Sequence, residues 1–475
     1  MMFDSFVAVV PAVCVVLGGL AAMTAEAFRL PGERVPIANW SVLMLAAAGV
    51  ASVFLWDRDE ISFGVVSADN FSLFINLILV LVGILTVVFS SAVVDRDRLP
   101  AGEYYALTLF AVVGMMLMAA AVDLLVVFLA LEILSLAVYV LTGLHRESPR
   151  STEAAFKYFV LGAFSSAFFL YGVAFTYGVV GSTRFEAISA AMSGQAASQN
   201  PLAQVALGLL LVGFAFKVSA VPFHMWTPDA YEGAPTVVTG FMSTGVKAAA
   251  FAAFTRVLLS AFGALAPGWS PVLWLLAAVT MVVGTVVGVA QTNLKRLLAY
   301  SSIAHAGYLL VALVAGNEIG KGAILFYLLV YGVTNVAAFG IIALVGRDEL
   351  EDYAGLWSRQ PMLAGLLTVC LLSLGGFPPL AGFIAKWYVF SAAISAGYTG
   401  LAVIGVLTSV VSVFFYLRIV VTMYMVDQPA DRPALATLRP AIVGALVLSV
   451  AILVYLGLLP TRLLDLAAAS IGTIY

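Results

Sequence analysis

The sequence predicts an all-α protein that threads many times through a membrane. Three observations carry this. The 475-residue chain is 63% hydrophobic and only 10% charged, the composition of a polytopic membrane protein rather than of the three soluble domains its length alone allows. Its apolar residues fall in runs of about 20, the length a helix needs to cross a bilayer. Two of the runs are broken by proline and glycine beside a lysine, at Lys217 to Pro222 and at Pro378-Pro379 to Lys386. The net charge of −3 offers no footprint for nucleic acid. Cys14 and Cys370 are far apart in separate apolar runs, so they form neither a CxxC nor a cluster-binding or zinc spacing. The opening Met1-Met-Phe-Asp-Ser lacks a basic n-region, and the first run reads as a retained span rather than a cleaved signal.

In chain order, fourteen spans are expected, near 5–28, 38–56, 70–94, 104–121, 123–143, 154–179, 202–226, 235–263, 271–290, 297–315, 321–345, 361–394, 400–425 and 438–459. The loops are short, the longest polar one being 181–201, and no soluble domain is inserted. Loops leaving odd-numbered spans hold Arg29, Arg34, Arg96, Arg98, Arg146, Arg150, Lys157, Lys295, Arg296, Arg347, Arg359, Arg432 and Arg439. Loops leaving even-numbered spans, with the C-terminus, hold only Arg58, Arg184, Arg256, Lys321 and Arg462. The positive-inside rule then puts both termini outside the cytoplasm. Gly284-Thr-Val-Val-Gly288 reads as a small-xxx-small pair for close helix packing, not a nucleotide loop.

The broken segments organise the rest. Pro222 lacks an N–H, and its ring clashes with the carbonyl of Val218, so a helix carrying Lys217 must open just beyond it. The second break reads Leu374-Gly-Gly-Phe-Pro-Pro-Leu-Ala-Gly-Phe-Ile-Ala-Lys386. The two lie five spans apart and so run in opposite directions, as an inverted repeat of spans 4–8 against 9–13 requires. Paired broken helices point to a transport site, and unwound backbone at that depth must be buried in protein or line a wet cavity. The expected units are 1–100 (three helices), 101–265 and 266–428 (the two repeats), and 429–475 (span 14).

Few polar residues lie within the spans. An ammonium inside a membrane helix costs about 2.5–3.5 kcal/mol on insertion scales and is functional by default. Lys217, Lys247 and Lys386 are such groups; the alternative is a satisfied structural lysine or one that snorkels to the interface. Glu132, flanked by Leu131 and Ile133, is a mid-span carboxylate whose candidate partners are these lysines. His305 follows Tyr300-Ser-Ser-Ile-Ala and suits either a proton relay or a satisfied core histidine. His224 and Asp229, with Glu232 beyond, fall near the cytoplasmic end of span 7, where ordinary loop chemistry also explains them. Glu153 and Lys157 form an i,i+4 pair at the start of span 6. Burial disfavours a lysine's charge and a neighbouring carboxylate favours it. A lysine between the two exchanges its proton with small changes of field. Proton movement is the chemistry this set supports; nothing in it suggests redox chemistry.

Two long motifs extend the reading. The run Lys217-Val-Ser-Ala-Val-Pro-Phe-His-Met-Trp-Thr-Pro-Asp-Ala-Tyr-Glu-Gly-Ala-Pro-Thr236 resembles the signature of the antiporter-like membrane subunits of respiratory complex I. Asn293-Leu-Lys-Arg-Leu-Leu-Ala-Tyr-Ser-Ser-Ile-Ala-His-Ala-Gly-Tyr308 resembles the family's second signature. The resemblance covers essentially the whole chain. Its length and the absence of a lateral helix argue against subunit L, and Lys386 argues against subunit M, which carries a glutamate there. Val237 departs from the family, which usually has a second proline at that place. The resemblance implies a proton relay. In it Glu132 modulates the pump lysine Lys217, Lys247 connects, Lys386 is terminal, and His305 is auxiliary, with Tyr300, His224, Asp229, Glu153 and Lys157 as possible further members. It implies no cofactor on this chain; NADH, FMN, iron–sulfur clusters and quinone would sit on partner subunits. The implied partners are other membrane-arm subunits, related antiporter-like ones among them, and the lipid of a bacterial cytoplasmic membrane. Two other readings stay open: a subunit of a multi-subunit sodium/proton antiporter, and a non-pumping scaffold whose buried charges fix helix register.

Overall fold

Helix boundaries follow the local chemistry of the chain in a computed structural model that describes residues 4–28, 35–194, 199–427 and 438–474. Asp69, Asp123, Asn293 and Asn317 each accept a hydrogen bond from a first-turn N–H, and so cap the helices that follow them. Pro149 and Pro201 open two more, behind Ser148 and Asn200. Gly181, Gly316, Gly346 and Gly376 close helices with φ between 59° and 85°, a conformation that glycine adopts without strain.

Among the described residues, thirteen helices are long and apolar enough to cross a membrane. They are span 1 (Phe6–Ala27), span 2 (Ile37–Phe54), span 3 (Asn70–Arg96), span 4 (Ala101–Ala120), span 5 (Leu124–Thr142), span 6 (Pro149–Val180), span 7 (Pro201–Val218), span 8 (Thr236–Ala261), span 9 (Gly263–Val289), span 10 (Leu294–Ala315), span 11 (Glu318–Val345), span 13 (Thr399–Met425) and span 14 (Pro440–Leu458). The expected span 12 is two shorter helices, Pro361–Gly375 and Ala381–Ser395, parted at the glycines and prolines. Span 7 stops at Val218, short of the expected 226, because Ser219 turns left-handed and the chain unwinds through Pro222 before a short helix, Trp226–Gly233. Val221-Pro222 and Pro378-Pro379 are both cis.

Three features lay outside the sequence reading. A small antiparallel hairpin pairs Glu60–Ser62 with Val66–Ala68 between spans 2 and 3. A short helix, Thr461–Ile471, follows span 14. Span 8 contains two π-helical turns, Met242–Val246 directly before Lys247 and Val257–Ala261 directly after Arg256.

Glycines set the closest helix approaches. A Cβ on Gly284 would lie within 3.0 Å of the Ala304 nitrogen and the Tyr300 oxygen, so the small-residue pair packs span 9 on span 10 as expected. Gly114 of span 4 does the same against Leu134 and Ala130 of span 5. The buried core is continuous from span 1 to span 14. Span 8 is buried throughout an 18-residue stretch.

Two basic residues counted as loop residues are in the interior. Arg256 and Asp69 are 1% and 0% exposed and form a two-pronged ion pair at 2.6 and 2.7 Å. Lys295 is also buried; it donates to the Ala234 carbonyl and pairs with Asp348 at 3.6 Å. Each lies within a helical turn or two of a span end, so sequence position alone put them in loops. Arg29, Arg34 and Arg432 lie outside the described residues.

Candidate functional site

Lys217 sits in the last turn of span 7, 2% exposed. Its ammonium donates to the Ser135 hydroxyl of span 5 at 2.7 Å and lies 5.7 Å from the ring centres of both Tyr139 and Tyr158. The Ser135 hydroxyl in turn donates to the Leu131 carbonyl. Beneath the lysine, Tyr158 stacks on Trp226 at 4.2 Å, and the Trp226 indole donates to the Phe216 carbonyl at 3.0 Å. The indole therefore satisfies a carbonyl next to the break, and the lysine is left to reach across to span 5. A cavity of about 10 Å³ touches Lys217, Tyr139, Ser165 and Ser166, room for about one water.

Glu132 is one helical turn from Ser135. It makes no ion pair with Lys217 within 4.0 Å among the described residues, and one of its oxygens is buried without a hydrogen-bond partner. The expected direct pairing is thus absent, and the ammonium bonds the Ser135 hydroxyl instead. The geometric cause is the one-turn offset: Ser135, not Glu132, faces the end of span 7.

Lys247 follows the first π-helical turn of span 8 and is 2% exposed. It donates to the Ser302 carbonyl of span 10 at 2.5 Å, one bond for a group with three donors. The Ser302 hydroxyl accepts from Tyr331 at 2.8 Å. One turn along span 10, His305 Nδ1 meets the Tyr327 hydroxyl at 2.7 Å and Nε2 meets the Tyr416 hydroxyl at 3.2 Å. Tyr416 also shares a 2.5 Å hydrogen bond with Ser301. The His305 ring lies 5.1 Å from that of Tyr331 and 5.5 Å from that of Tyr308.

Lys386 begins the second turn of the helix after the break in span 12 and is 5% exposed. It donates to the Leu374 and Gly375 carbonyls at 2.8 and 3.1 Å and to the Ser409 hydroxyl at 2.9 Å. The Tyr308 ring centre is 5.3 Å away. The same sequence spacing separates Tyr139 from Tyr308 as Lys217 from Lys386, so each lysine at a break has a tyrosine ring at the matching place.

Lys247, His305 and Lys386 are thus joined through hydroxyls and aromatic contacts. Lys217 stands apart: its hydrogen bond goes to span 5 and that of Lys247 goes to span 10. The tyrosines at these junctions were not singled out from the sequence. Their signal was helical spacing, since Tyr327 and Tyr331 are one turn apart, as are Ser301 and His305.

The remaining candidates gather at one end of spans 6 and 10. Lys157 bridges Glu153 at 2.8 Å and Asp229 at 2.9 Å; Arg296 bridges Asp229 at 2.7 Å and Glu232 at 2.9 Å. These residues, except Arg296, line a pocket of about 230 Å³ with Arg150. Burial works against the Asp229 charge, but Lys157 and Arg296 outweigh it and hold its carboxyl below the usual carboxylate range. The expected Glu153–Lys157 pair is present, extended by Asp229. His224 lies in the unwound stretch, its Nδ1 buried and unpartnered. Tyr300 is half-buried on span 10 and is not among the His305 partners. The two cysteines are free thiols.

Paired broken membrane helices, each with a buried lysine and a tyrosine at the break, define an antiporter-like membrane subunit. The chain belongs to the NADH:quinone oxidoreductase/Mrp antiporter transmembrane family, which matches residues 121–412. It is 44% identical over 472 residues to NADH-quinone oxidoreductase subunit N of Trichlorobacter lovleyi, covering 98% of this chain and 97% of that one. It is 46% identical over 464 residues to the subunit of the same name from Salinibacter ruber, covering 92% and 90%. A chain of respiratory complex I from Thermus thermophilus superposes with a TM-score of 0.83 at 37% identity, over 96% of this chain and 99% of that one. A chain of the Mrp complex from a Dietzia species shares the fold, with a TM-score of 0.85 at 22% identity, over 100% and 98%.

Proposed function

We propose that this chain is a proton-translocating membrane-arm subunit of a NADH–quinone oxidoreductase, of the type its relatives name subunit N. The observation that carries this reading is the set of three buried lysines, Lys217, Lys247 and Lys386, on spans 7, 8 and 12, with His305 tied into the latter two. Lysines at this depth are expensive unless they are used, and relatives of 44 and 46% identity over nearly the whole chain share the subunit name. In this reading Lys217, acted on by Glu132, releases and takes up the proton, Lys247 and His305 pass it on, and Lys386 is terminal. The pocket around Asp229, Glu153 and Lys157 serves the cytoplasmic side, with His224 and Tyr300 as auxiliaries. Redox chemistry stays on partner subunits that carry NADH, FMN, iron–sulfur clusters and quinone. The matching glycine crossings of spans 4/5 and 9/10, and the matching lysine–tyrosine pairs, support division into repeats 101–265 and 266–428, flanked by 1–100 and 429–475.

The test is donor-driven proton uptake into sealed membrane vesicles. Lys217→Ala is expected to assemble and to depress uptake; a variant that pumps at the normal rate would return this lysine to a structural role. Gentle solubilisation separates the antiporter alternative: flavin and iron–sulfur proteins should accompany the chain, and their absence favours a sodium/proton antiporter. For orientation, both termini are placed outside a bacterial cytoplasmic membrane, so a reporter active only in the cytoplasm and fused after Tyr475 stays silent.

A further inference from the structure

Arg256 is buried as deeply as the relay lysines, yet the relay gives it no task. It shares with Lys247 a ten-residue α-helical segment of span 8, Lys247–Arg256. Nine positions separate the two ends, about two and a half turns of α-helix, so the two side chains leave opposite sides of the helix. Lys247 reaches the Ser302 carbonyl of span 10, and Arg256 reaches Asp69 at the head of span 3. The π-helical turns Met242–Val246 and Val257–Ala261 bound this segment at both ends. Hydroxyls secure each of them by donating to backbone carbonyls, Ser243 and Thr244 to Gly240, and Ser260 to Arg256.

A π-helical turn holds more backbone than the α-helical turn it interrupts. Displacing it by one residue turns the adjoining segment by about 100°, the angle of one helical residue. With such a turn at each end, the backbone alone does not fix the direction in which Lys247 points. Lys247 has one hydrogen bond among the described residues and cannot fix it either. The ion pair at the other end can. Its two prongs are 2.6 and 2.7 Å long, and a planar guanidinium held by both oxygens of a carboxylate has a set orientation. The Phe71 ring centre lies 5.0 Å from the guanidinium carbon. Asp69 is itself held, because it also accepts the Ser72 N–H at 2.8 Å as the cap of span 3. From this arrangement we propose that Arg256 and Asp69 are positioning residues for Lys247. The pair locks the rotation of segment 247–256 and so keeps the Lys247 ammonium on the Ser302 carbonyl. The inference rests on the proton-relay reading for why that aim matters, and on geometry alone for what sets it.

The test uses the intact complex in two measurements. The double variant Asp69→Asn, Arg256→Met removes both charges together, so no ion is stranded in the interior, and asparagine still caps span 3. In an electron cryo-microscopy map of this variant, Lys247 Nζ should have left the Ser302 carbonyl while spans 3 and 10 keep their places. Donor-driven proton uptake into vesicles should fall several-fold. Arg256→Lys keeps the charge and gives up the fork. It should displace Lys247 less and slow uptake by a smaller factor, and it carries the test if the double variant does not assemble. A Lys247–Ser302 contact that survives in the variants overturns the proposal even where uptake falls, because the pair then acts on stability alone. Normal uptake in both variants overturns it as well. Lys247→Ala is measured alongside: if it pumps normally, the relay reading fails at this lysine, and the map still decides whether the pair sets its direction.

Discussion

Spans 7 and 12 break in the same manner and spend their lysines differently. At span 12 the lysine follows the break and folds back onto it, donating to two carbonyls that the interruption leaves free. At span 7 the lysine precedes the break, an indole from Trp226 serves the Phe216 carbonyl, and the ammonium crosses to span 5. One lysine is therefore saturated, by two carbonyls of its own broken span and by Ser409 of span 13. The other hangs on a single serine within reach of a carboxylate. A group with one replaceable partner changes state more readily than one with three, so in the proposed relay span 7 would be the switching half and span 12 the holding half.

The first way to break this comparison is steric, and its effect is the largest. Gly213 and Gly382 occupy matching places before and beside the two lysines. A Cβ at Gly382 would run into the Ser373 backbone carbonyl, whereas one at Gly213 meets the Phe169 side chain at 2.7 Å, which can swing. Overpacking costs about 1–3 kcal/mol and occasionally more. Gly382→Ala is expected near the upper figure, with loss of assembled complex in membranes, and Gly213→Ala near the lower. Equal yields and equal thermal stability of the purified complexes would show that the two breaks are equally pliant.

Next come the lysines. Lys217→Ala and Lys386→Ala should each lower coupled proton uptake by about tenfold, roughly 1.4 kcal/mol on the barrier. Only Lys386→Ala should also lower thermal stability, because it strands buried carbonyls at about 1–3 kcal/mol. A thermal-shift measurement that finds the two variants alike removes the distinction.

Glu132 sharpens the picture of the switching half. Without an ion pair to Lys217, its proposed action on that lysine would be through charge rather than contact. Glu132→Gln is expected to assemble and pump several-fold more slowly, while Glu132→Asp stays near normal; equal and normal uptake by both would mean the charge is not used. The smallest effect belongs to Ser135→Ala. It removes one hydrogen bond to a charged group, about 1.5–3 kcal/mol at most, and Glu132 is then free to approach the lysine. Uptake should fall less than in Glu132→Gln, and a larger fall would make the serine the principal partner.

Much of this was legible in the sequence because membrane spans are local. Run length, Pro222 and Pro378-Pro379 located the spans and both breaks without knowledge of neighbours. The lysines announced themselves by depth. What was not legible is pairing between distant spans. Arg256 was counted with a loop, yet it is buried against Asp69, 187 positions away in sequence. Glu132 was expected to meet a lysine directly, but the helix rotation that aims Ser135 there is set by packing among spans 4 to 6. The tyrosine partners of His305 come from spans 11 and 13, and no local pattern in span 10 names them.

The Arg256–Asp69 pair has a consequence for how the protein is made. Span 8 is the least apolar of the thirteen continuous spans and the most enclosed, and it carries Arg256 as well as Lys247. Lys247, in mid-span, costs about 2.5–3.5 kcal/mol on passage from the translocon into lipid, and Arg256 nearer the span end adds a smaller burden. Asp69 is synthesised long before Arg256 and waits at the head of span 3, already docked as that helix's cap. Span 8 can then leave the insertion machinery into a cleft that neutralises one of its charges, rather than into hydrocarbon. If spans 1 to 3 are in place first, they would offer span 8 this partner before it meets lipid, and the order of synthesis would favour the acid lying N-terminal to the base.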